Sequence, residues 1–195
     1  MMDEPSDIPP PDVLISVIDS KFTASYVVDL IVVANSRGDH TITDGKSGIL
    51  FTVNPFGATL HDQLVLRDIN DKIIVTLRKK IRSLHKRWCV FRGASDDKML
   101  FSVKKEHTIQ SRTNLNVFLA NNHSEDVCDF KIAGCSSNRN FSIYTRDSSR
   151  KIAKTHEMHV KDKFLVKVGP NVDYAFVSTL IAVIEAMKTS HCNGV

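Results

Sequence analysis

The stretch from Val172 to Met187 constrains the fold more than any other part of the sequence. It follows Gly169-Pro170-Asn171 and contains neither glycine nor proline, which predicts a helix capped by Asn171 or Asp173. Plotted at 100° per residue, its large apolar side chains do not keep to one stripe. A helix that is apolar nearly all round lies either inside a protein or in a membrane.

The length of this stretch favours burial in the protein. A helix from Val172 to Met187 is about 24 Å long, shorter than the roughly 30 Å hydrocarbon core of a bilayer. Four polar residues also interrupt it. They are Asp173, Ser178, Thr179 and Glu185. We therefore predict that this helix is the internal core of a layer of strands.

The sequence before the helix is typical of β structure. Short runs of Val, Ile, Phe and Leu recur from about residue 26, separated by Gly, Asn and Asp. Several runs alternate with a period of two, as in 115–119 and 164–168. This regular spacing predicts an antiparallel sandwich or barrel. We expect strands near 26–34, 40–44, 49–54, 64–68, 72–79, 87–92, 98–104, 113–119, 127–133, 140–145, 150–157 and 162–168.

The N-terminus differs in composition from the rest of the chain. Residues 1–12 hold four of the six prolines and four acids, with no Lys or Arg. We predict a disordered acidic, proline-rich tail over residues 1–20 and one β domain over residues 21–195. The whole chain has a net charge of +4, and removing these four acids leaves 26 − 18 = +8 for residues 13–195. A domain of that charge favours anionic partners.

The sequence contains no complete motif for catalysis or for a cofactor. Gly45-Lys46-Ser47 lacks the earlier glycine of a phosphate-binding loop, because His40 stands at that position. His156 and His159 are three residues apart, whereas a zinc-protease helix needs histidines four apart. We expect a protein that is not an enzyme and that uses neither a cofactor nor a metal.

The cysteines and the N-terminus indicate where the protein resides. Cys89, Cys128, Cys135 and Cys192 form no CxxC pair, so free thiols in a reducing compartment are the preferred interpretation. The acidic, proline-rich start is unlike a signal peptide. We expect an intracellular protein, cytoplasmic or nuclear or peripheral at a membrane, that is not secreted.

The segment 78–92 is the one local anomaly in charge. It contains seven basic residues and no acid, and clustered cations suit the phosphates of lipid or nucleic acid. Neighbouring residues on a strand point to opposite faces, so the tip of the hairpin is the best candidate for a patch. The alternative is a solvated connection whose charges only prevent edge pairing. The candidate anion- or lipid-binding residues are Arg78, Lys79, Lys80, Arg82, Lys86 and Arg87.

Four motifs occur in a consistent order between about residues 20 and 190. They are Ile-Thr-Asp at 42–44 before Leu-Phe-Thr-Val at 50–53; Leu-Arg-Asp at 66–68 before Ile-Val-Thr-Leu at 74–77; Leu-Arg-Lys-Lys at 77–80 before Ser-Leu-His-Lys-Arg-Trp-Cys-Val-Phe-Arg-Gly at 83–93; and Asn-Val-Asp-Tyr-Ala-Phe-Val at 171–177. Together they resemble the plant LURP-one-related (LOR) family. One departure is Asn70-Asp71, where the family turn has a glycine.

This resemblance implies the fold shared by tubby C-terminal domains and phospholipid scramblases. That fold is a twelve-stranded closed antiparallel β-barrel around a central hydrophobic C-terminal α-helix. The resemblance also implies a plant source and a link of some members to pathogen defence, without an established biochemical activity. Tubby domains bind phosphoinositide headgroups through basic residues, but none of those residues can be matched to this chain.

From the resemblance and the basic segment we expect a monomeric, non-enzymatic binding or tethering module. Its expected partner is an anionic phospholipid headgroup, such as a phosphoinositide at a membrane surface, or another protein. One alternative is a transcription-linked, nucleic-acid-associated tubby-like regulator, although no nucleic-acid-binding motif supports it. Another is a scramblase-like protein, against which the short helix argues. A barrel filled by its own helix leaves only the outer wall and the rim loops for a ligand.

Overall fold

A computed structural model shows twelve antiparallel strands that form a closed barrel around one α-helix. The structure describes Ile8 and residues 13–34, 39–46, 48–56, 62–80, 87–95, 97–106, 114–135, 139–146 and 150–192. The strands are β1 (Val28–Ala34), β2 (His40–Asp44), β3 (Ile49–Pro55), β4 (Gln63–Asp68), β5 (Ile73–Lys80), β6 (Arg87–Arg92), β7 (Met99–Lys105), β8 (Leu115–Leu119), β9 (Phe130–Cys135), β10 (Asn140–Thr145), β11 (Lys151–Glu157) and β12 (Lys163–Val168). The helix α1 spans Tyr174–Cys192.

The strands follow one another around the barrel in sequence order. The ring closes between β1 and β12, where Val28 pairs with Val168 and Leu30 with Val166. A closed ring of this kind leaves no unpaired strand edge, which removes the usual template for aggregation. The predicted antiparallel barrel and its strand positions are therefore confirmed, with bounds that differ by up to three residues.

Helix α1 fills the barrel. Its side chains from Phe176 to Ile184 are buried, as are the inward-facing residues of the strands, such as Leu30 and Val90. The ring of Phe176 packs against the rings of Phe101 and Phe130, at centroid distances of 5.1 and 5.0 Å. Between Phe176 and Ile184 the helix is thus buried on all sides, as its lack of a single apolar stripe predicts.

Asp173 caps α1 and also accepts hydrogen bonds from residues 17–19 near the N-terminus. Its Oδ1 accepts a hydrogen bond from the backbone N–H of Phe176 at 2.9 Å. Its Oδ2 accepts the N–H groups of Val17, Ile18 and Asp19 at 3.2, 2.7 and 3.1 Å. Burial raises the pKa of Asp173, and these four donors oppose that shift. The residue therefore joins two segments that are far apart in sequence.

Residues 13–22, which we call the N-terminal strap, pack across the start of α1. Ile15 forms a parallel bridge with Val172, and Ile18 belongs to the hydrophobic core.

The strap is also held by the barrel wall and by its own last turn. The side chain of Arg92 donates a hydrogen bond to the carbonyl of Ile18 at 2.8 Å. At the end of the strap, a short 3₁₀ helix (Ser20–Phe22) brings Phe22 into the core.

The strap changes the predicted domain boundary. The sequence predicts a disordered tail over residues 1–20 and a β domain over 21–195, but residues 13–20 are ordered against the helix. The physical reason is that Ile15 and Ile18 supply apolar surface. In addition, Asp173 accepts hydrogen bonds from the N–H groups of residues 17–19. Ile8 is buried as well, and the other residues of 1–12 lie outside the described residues.

The two ends of the barrel are distinct. The strap and the start of α1 lie at one end, the strap end. At 1.5 Å per residue, the 19 residues of α1 span about 28 Å, so the helix finishes at the opposite end, the helix-exit end. In this meander, the end of β5, the start of β6 and the β11–β12 turn all lie at the helix-exit end.

Candidate functional site

The described residues of the predicted basic cluster differ in what their side chains contact. Arg82 and Lys86 lie outside the described residues. The guanidinium of Arg78 lies over the ring of Phe91, 5.6 Å from its centroid. The Nζ atom of Lys79 lies 2.8 Å from an oxygen of Asp62, so this cation has a carboxylate partner inside the protein.

Arg87 is folded against the barrel wall. Its guanidinium donates a hydrogen bond to the hydroxyl of Ser102 at 2.7 Å and forms an ion pair with Glu125. Lys80, at the end of β5, is exposed. Among the four described candidates, Lys80 is thus the one that is exposed, and the other three are partly buried. The use of this cluster as a binding site stays a prediction.

A second group of cations surrounds a cleft of about 460 Å³ at the helix-exit end. We call it the exit cleft. Arg139 just before β10, residues 157–164 around the β11–β12 turn, and Lys188 of α1 line it. Its charged lining residues are Arg139, Lys161, Lys163 and Lys188, together with Glu157 and Asp162. Its other lining residues are Met158, His159, Val160 and Phe164.

The local backbone explains how these side chains reach one cleft. Arg139 and Asp162 both adopt a left-handed conformation, with φ of 53° and 59°. Such residues make tight reversals of the chain. The carbonyl of Asp162 accepts a hydrogen bond from the N–H of Ala34 at 2.9 Å, which ties the β11–β12 turn to the end of β1. Lys161 and Lys163, which flank Asp162, are both exposed, and this hydrogen bond holds the backbone between them against β1.

Glu185 holds two of the four cleft cations from inside the barrel. Its side chain is 8% exposed. Lys188 Nζ lies 2.6 Å from one carboxylate oxygen and Arg139 Nη2 lies 3.2 Å from the other. Arg139 also lies over the ring of Phe164, 5.1 Å from its centroid. The positions of Arg139 and Lys188 are fixed by these contacts before any ligand arrives.

The charges around Glu185 shift its titration strongly. Burial alone raises the pKa of a carboxyl group, but His40, Lys188 and Arg139 outweigh burial and lower the pKa of Glu185 to about 2. His40 Nε2 lies 3.9 Å away, which is too long for a good hydrogen bond. The direct contacts of Lys188 and Arg139 are therefore the firmest support of the ionised form.

The barrel and the motifs agree with a known family. The sequence model of the family described as LOR, LURP-one-related, matches residues 26–185. This chain belongs to the LURP-one-related family. The resemblance inferred from the four motifs is thereby confirmed.

Relatives and a solved structure support the assignment along most of the chain. Protein LURP-one-related 15 of Arabidopsis thaliana is 38% identical over 194 residues, covering 93% of this chain and 89% of the relative. Protein LURP1 of the same plant is 35% identical over 185 residues, covering 88% and 89%. An X-ray structure of an Arabidopsis thaliana protein superposes with a TM-score of 0.75 at 35% identity, covering 89% of this chain and 98% of that one.

Two other features concern a membrane-spanning helix and a metal site in this LURP-one-related chain. Among the residues that the structure describes, no helix is long and apolar enough to span a membrane. The same part of the chain contains no group of three or more His, Cys, Asp or Glu residues placed to hold a metal ion.

Sequence reasoning did not find the exit cleft. Its cations come from three separate elements, and none of them belongs to a run of basic residues. One available signal was Glu185, an acid within an otherwise apolar helix. A buried carboxylate needs cationic partners, and those partners are Arg139 and Lys188.

Proposed function

We propose that this LURP-one-related chain is a non-enzymatic binding or tethering module that places its helix-exit end on an anionic phospholipid surface. The observation that carries the proposal is the composition of that end. It presents the exposed cations Lys80, Lys161 and Lys163 beside two exposed apolar side chains, Phe56 and Val160. Cations that attract lipid phosphates and apolar groups that enter the headgroup region are typical of peripheral membrane proteins.

The filled barrel supports an exterior site. The lumen is occupied by α1, whose side chains from Phe176 to Ile184 are buried. A ligand that entered the lumen would have to displace this core. Surface recognition requires no such change, since the exposed residues of the helix-exit end are already in place.

The electrostatic attraction between the exposed lysines and anionic lipid sets how strong such docking can be. Each cation near an anionic leaflet contributes about 1 kcal/mol, so three exposed lysines contribute about 3 kcal/mol. That free energy alone corresponds to a dissociation constant weaker than about 1 mM. Stable tethering therefore needs further contacts, from the apolar side chains or from recognition of a headgroup.

A protein partner is the second candidate, and the strap end supports it. Val13, Leu14 and Ile69 are exposed large apolar side chains at that end. A membrane-bound barrel would present these residues away from the lipid. Recruitment of a protein there is also how we connect the module to plant defence, which the family resemblance implies.

Vesicle flotation tests the membrane proposal. We expect flotation with phosphatidylcholine vesicles that contain phosphoinositides and little with phosphatidylcholine alone, and we expect binding to decrease as salt increases. Lys80→Glu should weaken flotation, whereas Lys72→Glu at the strap end should not. Flotation that is insensitive to salt, or equal on both vesicles, would contradict the proposal. Displacement of the protein from vesicles by DNA would favour the nucleic-acid alternative.

A further inference from the structure

We propose that the exit cleft is a binding site for one phosphate group of a phosphorylated ligand. Arg139, Lys161, Lys163 and Lys188 would supply its donors. The proposal rests on the proposed function only for the idea that the phosphate can belong to a lipid headgroup. The same chemistry fits a soluble phosphate compound, so the experiment separates the two sources.

The size of the cleft suits a small ligand. Its volume of about 460 Å³ lies within the range of roughly 300–1,000 Å³ that small-molecule sites occupy. A single phosphate with its attached group fits such a space. A flat basic surface, by contrast, would attract anions without selecting them.

The charge of the cleft favours an anion. Four cations line it against the two carboxylates of Glu157 and Asp162. Adding the buried carboxylate of Glu185 leaves one positive charge in excess. Among the described residues, the ammonium groups of Lys161 and Lys163 have no ion-pair partner, so they can turn toward a ligand.

The other two cations are preorganised. An oxygen of Glu185 lies 3.2 Å from Nη2 of Arg139, and the other lies 2.6 Å from Nζ of Lys188. A guanidinium has five N–H donors, so Arg139 keeps donors for a ligand beside its contact with Glu185. Fixing donors in advance lowers the entropy that binding costs. The cleft thus combines two cations held by Glu185 with two exposed ones.

These contacts supply the affinity that the exposed surface lacks. A hydrogen bond to a charged group tightens binding by roughly tenfold or more. Two such bonds to a phosphate would tighten binding on the order of a hundredfold or more over the surface charge term. Headgroup recognition in the exit cleft would therefore convert weak electrostatic docking into stable attachment.

The test compares two double variants of equal charge. The full chain is titrated with inorganic pyrophosphate at low salt, with binding followed by calorimetry. Lys161→Ala/Lys163→Ala should weaken binding on the order of tenfold or more. The matched control is Lys46→Ala/Lys72→Ala, since both lysines are exposed at the strap end and their removal changes the net charge equally. The control should bind like the unaltered protein.

Vesicle flotation with the same variants identifies the source of the phosphate. Lys161 and Lys163 also belong to the exposed surface of the proposed function, so Arg139→Gln is added as a cleft variant that leaves that surface unchanged. If Arg139→Gln loses both pyrophosphate and phosphoinositide vesicles, the cleft is a headgroup site. If it loses pyrophosphate but still floats, the cleft takes a soluble phosphate ligand and another surface holds the membrane. If the unaltered protein binds no pyrophosphate, or if both double variants weaken it equally, the cleft proposal is overturned. Flotation of the unaltered protein decides the proposed function separately.

Discussion

Glu185 shows how a single charged residue is accommodated in a barrel core. The helix around it is apolar, and the side chain is 8% exposed. The carboxylate is retained because Lys188 and Arg139 reach it from the rim, each with its own side chain partly in solvent. Removing one partner of a buried ion pair lowers stability because the other charge stays buried without an opposite charge beside it.

The pKa of Glu185 predicts a specific loss of stability in acid. Its pKa is about 2 in the folded protein, against an ordinary 4.5. Between these pH values the unfolded chain binds more protons, so the free energy of unfolding falls as pH decreases from about 4.5 toward 2. The difference corresponds to about 3 kcal/mol. Above pH 5 this contribution is fully present.

Urea denaturation from pH 7 to pH 2 measures this effect. We expect Glu185→Gln to lose stability at pH 7 and to converge with the unaltered protein near pH 2. Glu157→Gln, an exposed acid of the same cleft, is the control and should follow the unaltered protein. Parallel curves for Glu185→Gln and the unaltered protein would show that Glu185 does not titrate in this way.

At the scale of elements, the strap depends on one residue of the helix start. Asp173 is fully buried and receives three N–H groups of the strap and one of α1. In Asp173→Ala these donors lose their acceptor, and each buried donor without a partner costs about 1–3 kcal/mol. Water can reach those at the surface, so we expect a total loss of about 3 kcal/mol or more.

Hydrogen exchange locates this loss. In Asp173→Ala, the amides of Ile18 and Phe176 should exchange much faster, while those of β5 and β6 keep their order of protection. Asp126→Ala, at an exposed position in the β8–β9 connection, serves as the control and should leave both regions unchanged. Uniform loss of protection through the barrel would instead mean that the strap and the barrel unfold as one unit.

The same elements show what the sequence could reveal. Strand positions followed from alternation along the chain, and α1 followed from its all-round apolarity, since both patterns are local. The strap has no such pattern, because its acceptor, Asp173, is more than 150 residues away. The exit cleft was missed for the same reason, as Arg139, Lys163 and Lys188 meet only after the barrel closes.

At the scale of the whole molecule, the two ends of the barrel have different roles in our proposals. The closed ring and its internal helix make the barrel a rigid spacer between the strap end and the helix-exit end. A membrane contact at one end therefore fixes the direction in which the other end points. Orientation on the lipid is a property of the entire fold and can be measured.

Tryptophan quenching by brominated lipids tests this orientation. The chain has one tryptophan, Trp88, which is 1% exposed and gives a constant background. Val160→Trp places a second one at the helix-exit end, and Ile69→Trp places it at the strap end. On phosphoinositide vesicles, we expect brominated lipid to quench the added emission of Val160→Trp and to leave that of Ile69→Trp unchanged. The barrel separates these two positions by most of its length, so the two variants report on opposite ends. Quenching of Ile69→Trp alone would mean that the strap end meets the membrane. Equal quenching of both variants would mean that the barrel has no fixed orientation.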